Sequence, residues 1–124
     1  MLEVDIPEVL AELTAAFEQY ERALVTNDAE TLNGLFWNSP LTLRYGAAEL
    51  LYSYDEIAEF RKNRVVLDPR RTLRNTRITT FGRDFGVANT ESTKPGSDRI
   101  GRQSQTWIRT PEGWRIACAH VSFM

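Results

Sequence analysis

Two side chains have polar ends at odds with the runs around them. Arg44 interrupts Leu41-Thr42-Leu43-Arg44-Tyr45-Gly46, a stretch that otherwise reads as a buried strand. Its period of two sets the arginine on the face opposite the leucines. Facing water, Arg44 is ordinary, and paired with one of the many glutamates it is structural. Facing the hollow of a curved sheet, its planar fork is a receptor for both oxygens of a carboxylate. Tyr20 lies on the apolar stripe of a helix, so its ring is buried and its hydroxyl needs a partner, either a backbone carbonyl or a group in a pocket.

Other candidates lie near the C-terminus. By period two, His120 shares a face with Trp114, Ile116 and Cys118, which reads as a partly buried histidine, either hydrogen-bonded in the core or lining a site. Arg102, Gln103, Ser104, Gln105 and Trp107 make an unusually polar strand. One of its faces could give amide or guanidinium donors to a bound anion, or the strand could be a wet face or a polar dimer interface. Ser104 and Ser122 lack a nucleophile-elbow context, and Cys118 between alanines reads as a small core hydrophobe, so covalent catalysis has little support. Tyr45, Tyr52, Arg102, Ser104 and His120 are the residues expected to line a substrate pocket around Tyr20 and Arg44.

The elements that must position these groups follow from periodicity and punctuation. Asp5-Ile6-Pro7-Glu8 reads as a capping box with proline in the first turn. From there Val9, Leu10, Leu13, Ala16, Phe17, Tyr20 and Leu24 recur at helical spacing to near Val25. Asn27-Asp28 breaks and recaps the chain for a second helix over 29–36, which Asn38-Ser39-Pro40 stops. After the strand of Arg44, Gly46-Ala47-Ala48 turns the chain so that 49–52 returns antiparallel. Ser53-Tyr54-Asp55-Glu56 is a second capping box and opens a helix over 54–63, with Ile57 and Phe60 inward. An irregular stretch then ends at Asp68-Pro69.

Strands over 72–81, 85–92, 100–109 and 114–123 follow, divided by turns of hairpin length. Gly86 and Gly101 within them read as bulges or bends that curl the sheet. The fold class is therefore α+β: three N-terminal helices packed on a strongly curved, mostly antiparallel sheet forming a cone, whose mouth is the natural pocket.

Composition narrows the function. The 124 residues suit one domain spanning 1–124, and a net charge of -2 argues against nucleic acid as a partner. One cysteine and one histidine leave no disulfide and too few soft ligands for a zinc site, so no metal is expected. No apolar run approaches the roughly 20 residues of a membrane span, and the acidic start lacks a signal peptide's basic end, so a cytoplasmic protein with no membrane partner is the default. The charge is uneven: 12 acids against Arg22 and Arg44 up to Phe60, then 5 acids against 13 bases. Either an acidic helical layer balances a basic sheet at its rim, or the sheet carries a field that attracts anions.

The order of elements and several words of the sequence resemble a known group of domains. The words are Phe36-Trp37, Leu43-Arg44-Tyr45-Gly46, Tyr52-Ser53-Tyr54-Asp55-Glu56-Ile57, Phe60-Arg61, Gly101-Arg102-Gln103-Ser104-Gln105-Thr106-Trp107, Gly113-Trp114-Arg115-Ile116 and Ala119-His120-Val121-Ser122. They resemble the SnoaL-like, nuclear-transport-factor-2-like (cystatin-like) cone domains, and within them the AtzH-like group, which includes a protein of oxalurate catabolism (HpxZ-like). This fold hosts isomerases, dehydratases, cyclases and binders alike.

The resemblance implies a cofactor-independent, decarboxylating amidohydrolase of ureide or cyanuric acid breakdown that turns 1,3-dicarboxyurea into allophanate. It makes a helix tyrosine and a strand arginine the essential pair, matching Tyr20 and Arg44. The alternative it leaves open is a non-catalytic carboxylate binder or a partner of an amidase. A small anionic substrate and a homodimer formed through the sheet face, covering aromatics near Trp107, complete the expectations.

Overall fold

In a computed structural model that describes residues 2–64 and 68–124, the first amphipathic repeat forms α1 (Pro7–Val25). The irregular stretch expected before Asp68 therefore lies partly outside the described residues. α1 buries Val9, Leu13, Phe17, Tyr20, Ala23 and Leu24, the stripe that the spacing predicts. Its entry differs from the expected capping box. Ile6 occupies the cap without a side-chain bond, and Asp5 instead binds the edge of the sheet, its Oδ1 accepting from Thr80 N at 2.8 Å. Val4 pairs with Phe81 beside it, so the N-terminal arm covers a strand edge that would otherwise be bare.

Asp28 caps α2 (Ala29–Gly34), accepting from Thr31 N at 3.1 Å. This helix stops two residues earlier than expected because the chain then docks on the sheet: Ile116 N donates to Leu35 O and Trp37 N to Ile116 O. β1 (Leu43–Tyr45) and β2 (Leu50–Tyr52) form the expected hairpin. Ser53 then caps α3 (Tyr54–Lys62), while Glu56 reaches back to Tyr52 N at 2.8 Å. β3 (Thr72–Phe81), β4 (Phe85–Thr93), β5 (Gly101–Thr110) and β6 (Gly113–Phe123) make the meander.

The six strands lie in the order β2-β1-β6-β5-β4-β3. α3 follows the β1–β2 hairpin, so one of the three helices lies within the strand order, and the mostly antiparallel sheet is mixed, because β1 runs parallel to β6 while the other neighbours are antiparallel. The long connection through β2, α3 and β3 to β5 allows that parallel pairing, which a tight hairpin cannot supply.

The bulges fall at positions other than the two glycines expected to make them. Register breaks fall between Arg74 and Arg77 on β3, where Asn75 has a φ of 53°, and on β6, where Ala117 is the extra residue between Ile116 and Cys118. Gly86 serves close packing. A Cβ there would collide with the Leu13 side chain and sit 3.0 Å from Thr79 O, so the glycine lets α1 lie directly on the sheet. Gly101 leaves room for the Ser92 hydroxyl in the same way. The core beneath α1 includes Trp107 and Ile116, both fully buried. Trp107 is therefore an inward residue, not one of the uncovered aromatics expected on the outer face.

Candidate functional site

The β1 alternation is as read, and of the two facings open to Arg44 the inward one is found. Leu41 is 77% exposed, whereas Thr42 is 1% and Arg44 9% exposed. The polar members of the run are the ones that point under the helices. Arg44 Nη1 donates to Glu49 Oε1 at 3.0 Å, and its guanidinium carbon sits 5.8 Å from the centre of the Phe60 ring. Gly46 makes the pair possible, since a Cβ there would fall on the Glu49 carboxylate. The glutamate holds one N–H of a five-donor fork, so Arg44 is at once ion-paired and able to take a further acceptor.

Arg44 and Tyr20 line one cavity of about 110 Å³, together with Arg64, Arg71, Gln103, Val121 and Phe123, and with Lys94, Arg99 and Arg102. Tyr20 is 4% exposed, with its ring edge-on to Phe36 at 6.1 Å. Its hydroxyl neighbours the guanidinium groups of Arg61 and Arg64. Burial pushes Arg61 down to about 10; the Tyr20 hydroxyl opposes that shift, while Arg64 and Arg44 reinforce it. Arg64 is lowered by burial and by Arg44, again with Tyr20 opposing. Arg44, Arg61 and Arg64 thus repel one another around this side of the cavity, an arrangement that favours a bound anion.

The two readings of the charge asymmetry both find residues. Glu8, Glu12 and Glu21 on α1 pair with Arg83, Arg109 and Arg71 of the sheet half, which is the rim balance. Around the cavity, Arg64, Lys94, Arg99 and Arg102 make no ion pair with a carboxylate among the described residues. That surplus supplies the anion-attracting field. A larger groove of about 520 Å³ runs past Asn33, Trp37 and Tyr54, but Arg115 is its one cationic lining residue, so it lacks the same selectivity for anions.

Of the residues expected to line a pocket with Tyr20 and Arg44, Arg102 reaches the rim of the cavity, with Nε donating to Ser122 Oγ at 3.2 Å. Tyr45, Tyr52, Ser104 and His120 do not line it. They lie on the outer face, where Tyr45 stacks edge-on to His120 at 5.8 Å and its hydroxyl bonds that of Tyr52, raising the Tyr52 pKa. Ser104 Oγ pairs there with Asn89 Oδ1 at 2.6 Å. The cause for His120 is the extra residue at Ala117. Trp114 and Ile116 face inward, but past the bulge the parity reverses, so Ala119 and Val121 point in and His120 is exposed.

Gln103 and Gln105, the two amides of the polar strand, are not placed on either face by residue type alone. Both are buried, at 6% and 2% exposure, on the inner face of β5. The signal for them is Trp107: a buried tryptophan places the residues two and four positions before it on its own face. Trp107 Nε1 donates to Gln105 Oε1 at 3.0 Å, and Gln103 Oε1 accepts from Arg71 Nη2 at 3.4 Å.

Comparison with known proteins places the chain. The family model described as AtzH-like matches residues 2–124. A crystal structure of a DUF3225-family protein of unknown function from Pectobacterium atrosepticum is 55% identical over 98% of this chain and 94% of its own, with a TM-score of 0.95. A cystatin-like fold protein from Burkholderia xenovorans is 44% identical over 100% and 98% of the two chains, with a TM-score of 0.97. A ketosteroid isomerase-like protein from Erwinia carotovora atroseptica, 16% identical over 96% and 98% with a TM-score of 0.78, shares the fold. No curated protein sequence matches the chain.

Proposed function

The chain belongs to the AtzH-like family, and from that premise we propose that it is an enzyme that decarboxylates a small N-carboxylated urea, converting 1,3-dicarboxyurea into allophanate without a cofactor. The observation that carries the reading is the meeting of Tyr20 and Arg44 in one small cavity with a surplus of guanidinium charge. Arg44 would clamp one carboxylate of the dianion with the part of its fork that Glu49 leaves free. At the carboxylate to be lost, the C–N bond breaks, its electron pair goes to nitrogen and CO₂ departs. The nitrogen takes a proton, which the Tyr20 hydroxyl can donate. The phenolate left behind lies near Arg61 and Arg64 until solvent returns the proton.

The test is to follow allophanate and CO₂ from 1,3-dicarboxyurea with wild type, Tyr20→Phe and Arg44→Lys. Loss of the proton donor is expected to lower kcat on the order of 10²-fold or more. Loss of the bidentate clamp is expected to raise KM by about tenfold or more. Wild-type rates in both variants, or no wild-type turnover above the spontaneous reaction, would refute the reading. Binding of the dianion without turnover would instead favour a carboxylate receptor that serves an amidase. The outer sheet face, bearing Tyr45, Tyr52, Ser104 and His120, is the surface on which two copies would pair.

A further inference from the structure

A fixed chain of side chains runs from α1 to the cavity wall. Arg71 Nε and Nη2 donate to the two carboxylate oxygens of Glu21 at 2.8 and 2.9 Å, and Nη2 also donates to Gln103 Oε1. A guanidinium has donors and no acceptor, so the amide oxygen of Gln103 must turn toward Arg71 and its nitrogen away. The opposite flip would set N–H against N–H. Gln103 lines the cavity, yet its Nε2 is buried and has no hydrogen-bond partner among the described residues. A buried donor without an acceptor costs about 1–3 kcal/mol, and at a cavity wall the acceptor can arrive with the ligand.

Register places that donor relative to Arg44. Arg44 pairs with Ala119 of β6, and Gln103 pairs with Val121 of the same strand from its other side. Two strand spacings and a two-residue offset separate their Cα atoms by about 12 Å. Both side chains are long, so their ends leave room between them for a ligand of a few atoms. Gln103 is also a neutral donor in a wall rich in cations. Unlike the hydroxyls there, its amide nitrogen is buried and unpaired among the described residues, which complements an uncharged oxygen better than a carboxylate.

We propose that Gln103 reads a carbonyl oxygen lying between the two carboxylates of the ligand, and that Glu21 and Arg71 are positioning residues that aim it. The inference rests on the dianion reading above and adds the feature that separates a ureido dianion from a plain dicarboxylate.

The test is calorimetric titration with glutarate and 3-oxoglutarate, which share length and charge and differ by the central carbonyl oxygen. Wild type is expected to bind 3-oxoglutarate about tenfold more tightly. Gln103→Met should bring the ratio of the two affinities to about one, and Glu21→Gln should shrink it by loosening Arg71. The ratio is the readout because general loosening of the pocket weakens both acids alike. If Gln103→Met does not fold, Glu21→Gln still decides. A wild type that binds both acids equally, or variants that keep the preference, would overturn the role of Gln103 while leaving the dianion site intact. If neither acid binds the wild type, the dianion site itself falls, and this inference with it.

Discussion

Arg61 is buried without a carboxylate partner among the described residues, a costly choice for a cation. Its Nε donates to Asn33 Oδ1 at 2.8 Å, and its guanidinium carbon lies 5.5 Å from the centre of the Phe36 ring. It thereby ties α3 to α2 and backs the ring against which Tyr20 packs. Removing it relieves repulsion from Arg44 and Arg64 but leaves the Asn33 oxygen and the Phe36 face uncovered. The second effect is the larger, because a buried hydrogen bond to a charged group and the packing of its stem are both lost. Arg61→Ala is expected to lower stability by about 2–4 kcal/mol. Urea unfolding would check this, and a loss below about 1 kcal/mol would show that the relief of repulsion wins.

At the level of elements, the residue that matters most for the site is Ala117, which carries no functional group. As the extra residue of the β6 bulge it decides that Val121 and Phe123 form part of the cavity wall while His120 and Ser122 face out. Deleting Ala117 would remove the bulge and leave an unbroken period of two in which Ile116, Ala119 and Val121 still face in and His120 still faces out. The expected outcome is a folded chain that loses only the local kink of the bulge, at a cost of about 1–2 kcal/mol in urea unfolding. A deletion variant that is unfolded at room temperature would show that the kink itself, beyond the facing it sets, is needed for the fold.

For the whole molecule, the sheet separates two surfaces of different character. The inner face, closed by α1, holds the basic cavity, and the outer face leaves Asn89, Ser104 and His120 exposed beside half-buried Leu43, Tyr45 and Val87. A broad sheet face of this mixed kind suits pairing with a second copy by two-fold symmetry, in which each residue of the patch meets the same patch on its partner. The prediction is a particle of twice the chain's 14.2 kDa in light scattering at micromolar concentration. A negative charge introduced at the centre of the face, as in Ser104→Glu, should return it to the monomer. A wild-type mass of one chain would refute the pairing.

The sequence by itself determined the elements and their order, because helical and strand periodicities and turn residues are local properties. The α1 stripe, the Asp28 and Ser53 caps, the β1–β2 hairpin and the four-strand meander are all legible in this way. It also singled out Tyr20 and Arg44, since a hydroxyl on an apolar stripe and a cation in an apolar run conflict with their neighbours whatever the tertiary structure. What only the tertiary structure decided is facing. Of the two facings open to Arg44, the helices packed over that face select the inward one and leave Leu41 exposed, which polarity along the run does not report. His120 changes sides through one inserted residue, and Gln103 enters the site because Arg71, 32 residues before it in the chain, holds its amide. Parity along a strand is local, but its origin is set by bulges and by contacts between residues far apart in sequence.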